Sequence, residues 1–394
     1  MADRLLSAVE ADVRAATQAA QRLRQAYGFD DVALVPGSVT IDPDDVETSW
    51  QLGPYRLALP ILAAAMDGVV SPRFAAALGR LGGLAVLNLE GLQTRYDDPE
   101  AVLAEIAQAP KEEATALLQK VYQAPIRAEL IGRRLEEIRA SGALAVGSVT
   151  PARAEQFAPL CVEAGAAAIV VQSTVTTARY RSRRGWQLDF ARFCRQQPIP
   201  VIVGNTVTFA ATLELMEAGA SAILVGVGPG AACTSREVLG IGVPQITATM
   251  DCAAARDTYY ERSGRYVPII TDGGMRTGGD ICKAFAAGAD AVMIGSPFAQ
   301  CAEAPGQGNH WGMATPHGAL PRGTRIKVGV TTTLERLLFG PTSRTDGTEN
   351  LIGALRTCMG VCGAETIRDM HCVEIVLAPA IKTEGKRWQL AGAL

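Results

Sequence analysis

The chain has 394 residues, 48% of them hydrophobic and 20% charged, with a formal net charge of −3. That balance excludes intrinsic disorder and leaves no basic footprint for nucleic acid, while the length suits one α/β barrel carrying insertions. Nine cysteines without a CxxC pair, and only three histidines, argue against a structural zinc site. Met1-Ala2-Asp3-Arg4 opens no secretory signal, and apolar runs such as 59–66 are too short for a bilayer, so a cytoplasmic protein with reduced thiols and no membrane partner is expected.

Along the chain, eight short β-rich runs are predicted as parallel strands near 60–65, 83–88, 143–147, 167–172, 200–204, 221–226, 267–272 and 290–295. One phrase recurs before them. Glu163-Ala164-Gly165-Ala166, Glu217-Ala218-Gly219-Ala220 and Ala287-Gly288-Ala289-Asp290 each place a glycine where a helix C-cap needs positive φ, directly ahead of an apolar run; Leu81-Gly82-Gly83 is a looser copy. Amphipathic stretches at 151–164, 207–218 and 278–287 fit between the strands. Eight βα units predict a (β/α)₈ TIM barrel, with an open doubly wound sheet as the rival. Residues 99–140 read as a charged helical insertion and 297–349 as a Gly-, Pro- and Thr-rich flap or insertion, all within one barrel domain over 1–394. The N-terminal helix and the tail beyond Asp369 are expected to wrap that barrel.

The C-terminal strand ends of a barrel form its active-site rim. They supply Met66-Asp67, Asn88, Gln172-Ser173-Thr174, Gly204-Asn205, the loop after Val225, Asp272-Gly273-Gly274 and Gly295-Ser296. Glycines at the seventh and eighth strand ends let backbone N–H groups approach an anion, which points to a phosphorylated ligand unless they are mere turns. After the sixth strand, Gly226-Val227-Gly228-Pro229-Gly230 leads to Ala231-Ala232-Cys233-Thr234-Ser235-Arg236. Cys161, Cys194 and Cys282 fall in helical patterns and read as core filler. Cys233 follows a glycine loop beside two hydroxyls, and is either a nucleophile or another structural thiol.

These residues resemble the IMP dehydrogenase/GMP reductase family. The likeness is carried by FDDVALVPG (29–37), LPILAAAMDGVVS (59–71), ALGRLGGLAVLN (77–88), VIVGNTVT (201–208), VGVGPGAACTSREVLGIGVPQITA (225–248), ITDGGMRTGGDICKAFAAGADAVMIGSPFA (270–299) and WGMA (311–314). The resemblance implies that Cys233 bonds carbon 2 of the purine, with Thr234 alongside and Ser235 in place of the usual threonine. It implies that Asp272 holds the ribose hydroxyls and that Gly274, Gly295 and Ser296 bind the 5′-phosphate. Met66, His310, Gly312, Met313 and Ala314 would complete the substrate pocket, and Gln172, Ser173, Thr174 and Asn205 the nicotinamide wall. Gly228, Gly230 and Cys233 match carbonyls that hold a monovalent cation such as potassium in some members.

The sequence departs from the family at several points. Regulatory CBS modules are absent, and 99–140 stands at their insertion point. Ala231 replaces a phosphate-binding serine, Gln172 an aspartate, and His310 a tyrosine. The pattern is closest to the CBS-free, IMP dehydrogenase-related group of cyanobacteria and actinobacteria. The family's dehydrogenases activate water with an Arg-Tyr pair on the flap, whereas 306–327 has Arg322 and Arg325 but no tyrosine. The resemblance therefore implies an NADPH-dependent GMP reductase, releasing IMP and ammonia. The alternatives are an NAD-dependent IMP dehydrogenase with another water activator, or a catalytically weak purine-nucleotide-binding regulator. His310 and His317 are the candidate proton relays, unless they are simply surface residues. A homotetramer, with a stacked octamer as its extension, is the expected assembly.

Overall fold

The computed structural model describes residues 23–183, 188–312 and 325–379. Eight parallel strands close on themselves in chain order: β1 (Ile61–Ala63), β2 (Leu84–Asn88), β3 (Val146–Val149), β4 (Ala168–Gln172), β5 (Val201–Thr206), β6 (Ala222–Val225), β7 (Ile269–Asp272) and β8 (Ala291–Ile294). Val292 of β8 pairs with Ile61 of β1, which closes the ring. The fold is the expected TIM barrel, and the doubly wound alternative falls because it would leave two free sheet edges.

Alternation along each strand divides the core in two. Leu62, Leu84, Val86, Val170, Ile202, Leu224, Ile270 and Met293 fill the interior. Ile61, Leu87, Ile169, Val203, Ile223 and Val292 face the helices instead. A hairpin of Trp50–Leu52 and Tyr55–Leu57 packs Trp50, Leu52 and Leu57 into the interior cluster just ahead of β1, and Trp50 Nε1 donates to the Leu59 carbonyl at 3.1 Å.

The outer layer is α1 (Pro72–Arg80), α2 (Ala128–Ala140), α3 (Ala154–Glu163), α4 (Phe190–Gln196), α5 (Phe209–Glu217), α6 (Gln245–Ser263), α7 (Gly278–Ala286) and α8 (Leu351–Cys362). The recurring glycines do what their spacing predicts. Gly165, Gly219 and Gly288 have φ of 71°, 102° and 105°. After each, the next amide reaches back to a carbonyl five residues earlier, as Ala166 does to Cys161 and Ala289 to Ala284, closing Schellman caps. Gly82 and Gly83 cap α1 in the same way through Gly79 and Leu78, so the looser copy is a true one.

The stretch 99–140 divides physically into two parts. Its last helix is α2, the ordinary crossover between β2 and β3, packed between α1 and α3. Only the helices Pro99–Gln108 and Lys111–Val121 are additional, and they form a small separate core with Leu92, Tyr122 and Trp311. Beyond β8, the helix Leu334–Phe339 packs on α8, and strand Ile375–Leu377 pairs with Val32–Leu34, so the tail does return to the barrel wall. The N-terminal helix expected before residue 23 lies outside the described residues. Among the described residues no helix is long and apolar enough to cross a membrane.

Candidate active site

All eight strands point their C-terminal ends to one rim, and most of the candidate residues meet there. The loop after β6 carries the thiol. Gly226 leaves β6 at φ 152°, where a Cβ would lie 2.4 Å from the Asp272 carbonyl, so only glycine lets the two strand ends come so close. Pro229 and Gly230 rest on Gly273 and Gly274 of the loop after β7. The Gly230 carbonyl accepts the Cys233 amide at 3.0 Å. Cys233 is half-buried, and its Sγ lies 3.2 Å from the Oγ of Ser235, a hydroxyl with 2% exposure. Thr234 is the N-cap of the short helix Ser235–Leu239. The thiol therefore stands at the rim with a hydroxyl fixed beside it, an arrangement suited to attack on an electrophilic carbon.

Gly312 comes to the same place from the other side: a Cβ there would sit 2.8 Å from the Ala232 carbonyl. Met66 packs its sulfur against Gly295, where a Cβ would approach to 2.8 Å. Ser296 opens the four-residue helix Ser296–Ala299, and its hydroxyl meets His310 Nε2 at 3.0 Å. His310 is 1% exposed, and burial pushes its pKa down to about 4, so the ring is neutral. Its Nδ1 has no partner among the described residues. This histidine is a fixed part of the β8 rim, which removes the surface-residue reading for it. His317, Arg322, Met313 and Ala314 lie outside the described residues.

Asp272, at the end of β7, receives a 2.7 Å hydrogen bond from Asn205 Nδ2. Desolvation still raises its carboxyl to about 6, against that bond's opposite effect. Across the rim, Gln172 Nε2 donates to Ser148 Oγ at 2.8 Å, and Ser173 Oγ meets Thr176 Oγ1 at 2.9 Å. Asn88, paired in register with Ser148, buries an Nδ2 that has no partner among the described residues. The Gln172 and Asn205 amides on this wall are thus engaged by Ser148 and Asp272, and the amide nitrogen without a partner among the described residues is that of Asn88. The cation reading fares worse. The Arg236 side chain lies on Gly228, where a Cβ would be 3.0 Å from Nε, and its guanidinium donates to the Val227 and Val243 carbonyls. A fixed positive charge against Gly228, with Gly230 already capping Cys233, does not fit a monovalent cation at Gly228, Gly230 and Cys233.

Two features escape sequence reasoning. Gln245, the first residue of α6, bridges the Val225 and Asp272 carbonyls at 2.6 and 3.1 Å, tying the ends of β6 and β7. Its place in the VPQ run was its only signal. The second is Asp67, which does not face the rim but is buried behind it. It accepts the Leu92 amide at 2.9 Å and the Tyr122 hydroxyl, and Tyr122 in turn accepts from Trp311 Nε1 at 2.8 Å. Gly91 makes room, since a Cβ would strike the carboxylate. Tyr122 belongs to the additional helical pair, so that pair reaches Met66 through Asp67 and Gly312 through Trp311. Arg325 donates to the Ile106 and Ala107 carbonyls of the same pair and is thereby committed away from the thiol.

A closed parallel barrel with a thiol loop after β6 and glycine-edged β7 and β8 ends defines an α/β-barrel protein whose candidate site lies at the C-terminal ends of its strands. The family model for the IMP dehydrogenase/GMP reductase domain matches residues 26–314, and the chain belongs to that family. It is 40% identical over 363 residues to an uncharacterized oxidoreductase of Mycobacterium tuberculosis (strain ATCC 25618 / H37Rv), covering 90% of this chain and 97% of the relative. An inosine-5′-monophosphate dehydrogenase of Cryptosporidium parvum is 31% identical over 381 residues, covering 87% and 89%. The crystal structure of an IMP dehydrogenase/GMP reductase-like protein from Corynebacterium glutamicum superposes with a TM-score of 0.86 at 34% identity, over 91% of this chain and 96% of that one. The chain is thus an oxidoreductase of a family that uses purine nucleotides and a nicotinamide cofactor.

Proposed function

We propose that the protein transforms carbon 2 of a purine 5′-monophosphate through a covalent adduct on Cys233. The observation that carries this reading is the Cys233 thiol beside the buried Ser235 hydroxyl, on a loop seated against Gly273, Gly274 and Gly312. Gly274, Gly295 and Ser296, with neutral His310 behind Ser296, would take the phosphate. Asp272 would accept the ribose hydroxyls, and Met66 with Gly312 would flank the base, together with Met313 and Ala314. A nicotinamide bound along Gln172, Ser173, Thr174 and Asn205 would accept or supply the hydride at carbon 2.

Of the two directions, we favour oxidation of IMP to XMP. The support is the near full-length similarity to a relative named as an IMP dehydrogenase. In that direction Cys233 adds to carbon 2, hydride departs, and water releases XMP from the sulfur. Reductive deamination of GMP to IMP has one observation of its own: 306–327 contains no tyrosine to pair with an arginine. There the same sulfur holds carbon 2 while ammonia leaves and hydride arrives from NADPH. Purified protein given IMP with NAD, and separately GMP with NADPH, decides between them by absorbance at 340 nm and by ammonia release. NADH and XMP from the first mixture establish the dehydrogenase. NADPH loss with ammonia from the second establishes the reductase, and silence in both with nucleotide bound leaves the regulator.

We further propose a homotetramer. Val238, Leu239 and Ile241, beside the rim, are 52%, 43% and 41% exposed, which is apolar surface suited to a second copy. Multi-angle light scattering that returns a monomer at micromolar concentration overturns it.

A further inference from the structure

Outside the rim, α7 and α8 pack with little between them. A Cβ on Gly278 would lie 2.4 Å from the Cβ of Ala354, so the glycine is what permits this approach. One turn further along each helix stand Cys282 and Cys358, and Cys282 Sγ already reaches the Ala354 carbonyl at 3.7 Å. Both cysteines line one cavity of about 590 Å³ that also takes in Ala33, Gly279 and Thr357. Cys362, a further turn along α8, turns its sulfur to the Val35 carbonyl at 3.8 Å. Three thiols thus gather on one helix pair, away from Cys233, and no step proposed above uses them.

Their environments differ. The neighbouring Cys282 thiol, and Cys362 on the other side, hold the Cys358 thiol below its ordinary range despite partial burial. Cys282 is pushed up by the same pairing and by burial, and Cys362 rises to about 11 through burial and its neighbour. Burial carries Cys161 to about 12, and burial with the Asp251 charge carries Cys252 there too, so both are inert.

We propose that Cys358 and Cys282 form a peroxide-reactive thiol site that closes a disulfide between α7 and α8. The Cys358 thiolate attacks one peroxide oxygen, the O–O bond breaks, and Cys358 becomes a sulfenic acid while the other oxygen leaves as hydroxide, which takes up the proton that Cys358 had released and becomes water. The Cys282 sulfur then attacks the sulfenic sulfur. The S–O bond breaks, and the hydroxyl leaves as a second water with the Cys282 proton. Two thiols lose two electrons and one hydrogen peroxide becomes two waters. Cys362 is not the partner: residues four apart on a helix hold their Cβ atoms about 5–6 Å apart, whereas a disulfide needs about 3.5–4.5 Å. The bridge fastens the helix that follows the glycine rim of β7 to the last helix of the barrel.

The test uses the reduced full-length protein with stoichiometric hydrogen peroxide, alkylation at intervals and peptide mass spectrometry. Exposed Cys372 serves as the internal reference. The expected result is a Cys282–Cys358 cross-linked peptide appearing several-fold faster than oxidation at Cys372. In Cys282→Ala, dimedone should trap a sulfenic acid at Cys358, and Cys362→Ala should slow the reaction without redirecting it. Oxidation of Cys358 no faster than Cys372, or a Cys358–Cys362 bridge, overturns the proposal. Mapping of the wild-type chain alone is enough to show either, should a variant fail to fold.

Discussion

Cys233 and Asp272 carry opposite burdens at the rim. The thiol makes the proposed bond, while phosphate and ribose contacts sit on other strands. Cys233→Ala should therefore lower turnover by at least about a thousandfold and leave nucleotide affinity within about tenfold, read by activity and by calorimetric titration. Asp272 is held near 6 by desolvation, so its carboxylate is disfavoured in the folded protein. A sugar diol donates to the carboxylate, not to the acid. Nucleotide affinity should consequently strengthen as pH rises through about 6 and level off above 7, and titration calorimetry between pH 5 and 8 tests this. For stability the sign reverses. A raised carboxyl pKa means that stability present at low pH is lost as pH climbs through 6. Asp272→Asn removes that penalty, and a melting temperature a few degrees higher at pH 7.5, together with impaired nucleotide binding, is expected. His310, held near 4, should contribute no titration step between pH 5 and 8.

At the scale of elements, the helices Pro99–Gln108 and Lys111–Val121 act on the rim without touching it. Tyr122 is a positioning residue: its hydroxyl joins Asp67, next to Met66, to Trp311, next to Gly312. Tyr122→Phe keeps the ring in its apolar cluster but strands the buried Trp311 indole N–H, costing about 1–3 kcal/mol unmade, and takes one donor from Asp67 Oδ2, which keeps the Leu92 amide. The expected outcome is a several-fold rise in KM for the nucleotide together with reduced kcat. Tyr122→Leu should add only a loss of stability to that pattern. An unchanged KM in the phenylalanine variant would reduce the network to a purely structural role. The pair is also too short to be a nucleotide-sensing module, so ATP and GTP should leave the activity curve hyperbolic.

For the whole molecule, the end of the barrel opposite the rim carries a buried charged network. Asp290, just before β8, accepts from Arg256 at 3.1 Å, from the Ile269 amide at 2.8 Å and from the Tyr266 hydroxyl, while Arg256 stacks on that ring at 5.2 Å. Both charges are buried. Asp290→Ala takes the buried carboxylate from Arg256, which keeps only the exposed Asp257 and the Gly288 carbonyl, and should cost about 3 kcal/mol, seen as a lower urea midpoint. Removing the exposed Arg56–Glu47 pair should cost under about 1 kcal/mol. A network at that end suits a barrel whose rim is free to vary.

The sequence by itself determined the eight strands, their order and the αβ corners. Those depend on local rules: apolar alternation fixes which side chains enter the barrel, and Gly165, Gly219 and Gly288 are needed wherever a helix must end in positive φ. It also marked Cys233 as the thiol at a strand end after a glycine loop, while leaving open whether it is a nucleophile or a structural cysteine. Tertiary structure alone decided what depends on partners far apart in the chain. Asp67 looks like a rim carboxylate until Tyr122, 55 residues later, and Leu92 are seen to hold it behind the rim. Residues 99–140 look like one insertion until α2 is found packed between α1 and α3. The approach of Cys282 on α7 to the Ala354 turn of α8, one turn before Cys358, likewise arises only when distant elements pack. Periodicity reports the face a residue presents; only closure of the barrel says what that face meets.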